Sequence, residues 1–117
     1  MADNERIELL HGTLDLIVLR ALATMGPLHA YALASRLEQL AEHPLTLNQG
    51  TLYPALLRLE QRKWIRSSWG VSEANRKARF YELTARGRRQ ITREAENWAT
   101  TVSLMERFLR EPAIKED

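Results

Sequence analysis

A chain of 117 residues, 44% hydrophobic and 27% charged, has the composition of a globular protein with room for one core but not for two. It contains no cysteine, which excludes disulfides, thiolate metal sites and thiol nucleophiles. With no signal-type N-terminus and no run long enough to span a bilayer, a cytoplasmic protein is expected. The formal charge of +2 conceals an asymmetry: Arg58 to Arg93 holds 11 Lys and Arg against three acids, about +8, and the remainder holds 6 basic and 12 acidic residues, about −6. Such a cationic segment is the electrostatic footprint of a nucleic-acid binder.

In chain order, Gly12 and Thr13 precede an apolar run, LDLIVLRALATM, that reads as a first helix, with Thr13 or Asp15 placed where the positive helix end favours it. Wrapped as a helix, the run has Leu14, Val18, Ala21 and Met25 on one face and Leu16, Leu19 and Ala23 on the other. The domain core can cover one face, and something outside it must cover the second. Gly26 and Pro27 end this helix. A second helix is expected from about Ala30 to Glu42 on the spacing of Leu33, Leu37 and Leu40, with Pro44 terminating it and Leu45 to Leu47 as a small strand.

Asn48 is a good N-cap for a third helix starting at Gln49 or Gly50. Leu52, Ala55, Leu56 and Leu59 recur at helical spacing and form its buried face. The other side presents Gly50, Thr51, Pro54, Leu57, Arg58 and Gln61, with Tyr53 at its flank. Small, hydrogen-bonding and aromatic groups replace the usual Glu and Lys, so this face is suited to meeting another surface. Two helices joined by a short connection make a helix-turn-helix, whose second helix enters the DNA major groove.

Trp64 to Trp69 reads as a strand, Gly70 to Arg76 as a polar loop and Lys77 to Leu83 as the returning strand. This hairpin completes a winged helix, and its tip supplies Arg76, Lys77 and Arg79 for phosphate contact. Thr84 is the N-cap of a last helix running to roughly Arg110, and Gly87 in its first turn leaves room for close backbone approach. Ile91, Ala95, Trp98, Val102, Met105 and Leu109 follow one another at spacings of 4, 3, 4, 3 and 4, a heptad seam. With Leu16 and Leu19 of the first helix, this seam is expected to form a homodimer interface. The fold class is therefore mostly α with a small β-wing: a winged helix-turn-helix domain over residues 1–84, then a dimerisation helix and tail over 85–117.

Nothing in the sequence supports catalysis. His11, His29 and His43 lack metal-ligand spacing and each is read as capping or packing, and there is no Gly-rich phosphate loop or nucleophile elbow. No enzyme activity, cofactor or metal is expected. A winged helix acting as a protein interaction module without DNA readout is the rival reading, separable by the salt dependence of DNA retention.

The sequence resembles the PadR family of bacterial transcriptional regulators. The resemblance rests on GTLDLIVLRAL at 12–22, LHAYALA at 28–34, NQGTLYPALLRLEQRKWI at 48–65, RFYELTARG at 79–87 and ENW at 96–98. One departure is Ala30, where the family usually has Gly; alanine is the better helix former, so the fold is not threatened. The resemblance implies a homodimeric winged helix-turn-helix repressor of the shorter branch, released from a pseudo-palindromic operator by a small molecule. DNA contacts are expected from Asn48, Gln49, Thr51, Tyr53 and Arg58 of the recognition helix, with Arg76, Lys77 and Arg79 of the wing. Trp98 is the expected site for a planar aromatic effector, because multidrug-binding members of that branch line a central pore with a tryptophan at the corresponding position.

Overall fold

The computed structural model describes residues 13–41 and 49–110. Over them run helix α1 (Thr13–Met25), strand β1 (Leu28–His29), helices α2 (Ala30–Leu40) and α3 (Gln49–Gln61), strands β2 (Ile65–Val71) and β3 (Lys77–Leu83), and helix α4 (Ala85–Arg110). Helix α1 stops where Gly26, at φ +80°, returns its N–H to the Leu22 carbonyl, a left-handed turn that glycine adopts without strain. Strand β1 was not expected. Its two residues pair antiparallel with Tyr81 and Phe80, making a three-stranded sheet in the order β1-β3-β2. The chain then turns into α2 through His29, whose Nδ1 accepts the Ala32 N–H at 3.2 Å and whose ring meets Phe80 edge-on.

Helix α2 ends at Leu40, two residues short of the expected Glu42. The expected strand Leu45 to Leu47, the Asn48 cap, Pro44, His11 and His43 lie outside the described residues. Helix α3 starts at Gln49, as the capping pattern implied. Strand β2 runs two residues past its expected end because pairing continues through Gly70↔Ala78 and Val71↔Lys77. The loop is thereby shortened to 72–76 and closed by the Ser72 N–H on the Arg76 carbonyl, with Asn75 at φ 59°. Thr84 caps α4: its Oγ1 accepts the Gly87 N–H at 3.0 Å and donates to the Lys63 carbonyl at 2.7 Å.

Helix α1 is central and touches α2, α3, α4 and β3. That explains one correction. Leu14, Val18, Leu19, Ala21 and Leu22 are all buried against Leu33, Leu37, Leu52, Leu56, Leu59, Ile65 and Tyr81. The protomer therefore consumes Leu19 completely, and this residue is not available to a second chain. Leu16 is half-buried. Helix α4 begins on the core, with Ile91 packed against it, and its later turns leave the domain, giving a body of 62 × 38 × 21 Å. Among the described residues no helix is long and apolar enough to cross a membrane.

Candidate nucleic-acid interface

Four apolar residues fix the orientation of α3. Leu52, Ala55, Leu56 and Leu59 are fully buried, so Thr51, Tyr53, Pro54, Leu57 and Gln61 face outward. Gln49 lies in the first turn of the same helix. Arg58 does not belong to this outward set. Its Nη2 donates to Asp15 Oδ1 at 2.7 Å, tying the last turn of α3 to the first turn of α1. Arg58 is thus held by Asp15 in the free protomer, while its side chain stays 40% exposed.

The hairpin stands beside α3 and is braced on it. Ser67 Oγ donates to Glu60 Oε2 at 2.6 Å and accepts from Arg79 Nε at 2.8 Å, while Arg79 Nη2 lies 3.8 Å from the same Glu60 oxygen. Tyr81, buried below this cluster, has its phenol held above the usual value, first by burial, then by the Glu60 carboxylate; Arg79 opposes the shift and Tyr53 adds to it. Arg79 is therefore a mid-strand residue opposite Trp69 and not a tip residue. The exposed cations of the tip are Arg76 and Lys77. Lys77 Nζ and Arg79 Cζ also lie over the Trp69 ring, at 5.0 and 5.5 Å from its centroid.

The C-terminal seam divides in two. Ile91 and Ala95 line an apolar groove of about 480 Å³ with Leu16, Ile17 and Met25 of α1 and Leu40 of α2. Among the described residues Trp98 (43% exposed), Met105 and Leu109 (76% exposed) are exposed, and Val102 between them is half-buried. Leu104 and Phe108 are exposed beside them, outside the heptad positions. Their spacing of four was visible in the sequence, but a strict seam discards it. Among the described residues no group of His, Cys, Asp and Glu could hold a metal ion.

A family model described as the transcriptional regulator PadR-like family matches residues 18–93. A transcriptional regulator from Clostridium thermocellum superposes with a TM-score of 0.74 at 26% identity, over 83% of this chain and 93% of that one. A PadR family transcriptional regulator from Eggerthella lenta superposes with a TM-score of 0.72 at 26% identity, over 84% of this chain and 82% of that one. An uncharacterized 37.1 kDa protein in a transposon of Streptomyces fradiae is 42% identical over 85 residues, which is 73% of this chain; the chain spans only 23% of that relative's length. The family model covers well over half of the residues, and the helix-turn-helix, braced wing and projecting last helix lie within or beside it: the chain belongs to the PadR-like family of transcriptional regulators.

Proposed function

We propose that the protein is a homodimeric, sequence-specific DNA-binding repressor of the cytoplasm, released from its operator by a planar aromatic molecule. Residues 1–84 read DNA and residues 85–117 hold the dimer. The observation that carries the reading is the outward face of α3, with Thr51, Tyr53, Leu57 and Gln61 exposed beside the exposed cations Arg76 and Lys77. A helix that enters the major groove needs groups able to meet base edges and thymine methyls, and flanking cations for phosphates. Gln49, Thr51 and Tyr53 take the first role and Arg76 and Lys77 the second. In the dimer, each Trp98 faces its copy across the axis, and two such indoles can sandwich a flat apolar molecule.

Selection of duplexes from a random pool tests the DNA reading. The expected product is a pseudo-palindrome with half-sites about one turn, roughly 34 Å, apart, retained less as salt rises. Failure to retain any duplex at low salt sinks the reading. For the effector, planar aromatic compounds should quench tryptophan fluorescence and weaken binding to the selected duplex. Equal quenching in Trp98→Phe would remove the effector from this site.

A further inference from the structure

Trp69 is 61% exposed, on a face of the hairpin that nothing else in the described chain covers. Strand alternation puts Ile65, Ser67, Trp69 and Val71 on one face, with Leu83, Tyr81, Arg79 and Lys77 directly opposite them. The register is pinned from the other side, where Gly70 has no side chain and the Phe80 ring lies across it. At its base this inner face is core, for Ile65 and Tyr81 are buried. Beyond Ser67 it leaves the core and carries an exposed indole, the exposed Val71 and two cations drawn over the indole.

Its surroundings indicate what it meets. Through the Ser67 and Arg79 contacts with Glu60, the inner face is fixed to α3 on the side that also carries Tyr53 and Leu57. When a recognition helix lies in the major groove and its wing reaches the adjacent minor groove, the backbone that separates the two grooves passes between helix and wing. That backbone alternates apolar sugar carbons with anionic phosphates. The inner wing face offers the complementary alternation, an indole and a valine beside a lysine and an arginine. The indole N–H is a donor only, which suits an acceptor-only phosphate. Glu73, the acid of the loop, lines the groove on the α2 side of the hairpin with Tyr31 and Ser35, where Arg76 and Lys77 also reach, and is not among the inner-face positions 65, 67, 69 and 71 or their partners.

We propose that the inner wing face binds the sugar–phosphate strand of duplex DNA, with the Trp69 indole laid on deoxyribose and Lys77 and Arg79 on the flanking phosphates. The assignment rests on the reading of α3 as the groove-entering helix, and it adds a contact that is neither base readout nor simple charge neutralisation. Sugar contact carries no sequence information, so the contribution of Trp69 should be the same on every duplex. It should also be independent of salt, because no counterion is released by an indole.

The test compares the parent, Trp69→Ala, Trp69→Phe and Lys77→Ala on the selected duplex and on an unrelated duplex of about 30 base pairs, across a salt series. Trp69→Ala should weaken both complexes about tenfold with the slope of log affinity against log salt unchanged. Trp69→Phe should recover most of that loss, and Lys77→Ala should reduce the slope by about one unit. Duplex addition should quench fluorescence in the parent and quench it less in Trp69→Phe, where only Trp64 and Trp98 emit. Unaltered melting temperatures in all variants separate contact from folding. If Trp69→Ala binds both duplexes as the parent does, the inference is overturned and the patch belongs to a protein partner. A loss confined to the selected duplex also overturns it, since base readout would then be the role. If the parent itself retains no duplex, the DNA reading falls first and takes this contact with it.

Discussion

A β-carbon at position 87 would fall on the Trp64 carbonyl oxygen and crowd the Leu83 side chain, because the first turn of α4 is drawn against the start of β2 by Thr84. The Thr84 N–H also donates to that same Trp64 carbonyl at 3.0 Å, so backbone rather than a flexible side chain would have to yield. Gly87→Ala is expected to cost about 1–3 kcal/mol as an overpacking change, despite alanine's better helix propensity. Chemical denaturation with an unchanged m-value measures it, and a variant as stable as the parent would contradict the close approach. This residue was legible in the sequence, since a glycine at the third position of a Thr-capped helix costs propensity and needs a reason. Arg58 was not. Its partner Asp15 is 43 positions away, beyond the reach of any spacing within one helix.

At the scale of elements, the long amphipathic pieces were readable and the short ones were not. The leucine spacing of α3 and the Thr84 cap of α4 located both helices to within a residue. Strand β1 has two residues, too few for any period, and exists because β3 offers Phe80 and Tyr81 as partners. The brace between α3 and the wing was equally invisible, for it joins Glu60, Ser67 and Arg79 across a turn whose geometry only the fold defines. The brace leads to a prediction about rigidity rather than stability. Glu60 and Arg79 are both partly exposed, so Glu60→Ala should change global stability by no more than about 1 kcal/mol. Amide exchange in the outer half of the hairpin should nevertheless accelerate relative to α1 and α3. Equal exchange in parent and variant would show that the sheet alone holds the wing in place.

For the whole molecule, the issue is what covers α4. A helix of 26 residues is about 39 Å long, and only its first turns lie on the domain. Beyond them Trp98, Leu104, Met105, Phe108 and Leu109 face solvent in the protomer, a band wider than a two-position heptad seam. Leu19 is buried within the protomer, Ile91 packs on the core and also lines the groove beside α1, and Leu104 and Phe108 are exposed next to the heptad positions. A contiguous apolar band on a projecting helix, beside a groove lined by Leu16 and Ile17, fits a second copy related by a two-fold axis. Val102 sits between Trp98 and Met105 on that band, so Val102→Glu would place a charge against its own copy in a desolvated seam. Sedimentation should find Val102→Glu monomeric. Ser103→Glu, on the side of the helix away from both the Trp98–Met105 seam and Leu104 with Phe108, should remain dimeric and so control for added charge alone. The monomer keeps its α3 and its wing, so it should still bind a single half-site. Its affinity for the full palindrome should fall by about 10²–10⁴, because the second half-site contact is no longer intramolecular. A dimeric Val102→Glu would move the interface away from α4, and full affinity in a monomeric one would mean that two linked recognition helices are not needed to hold DNA.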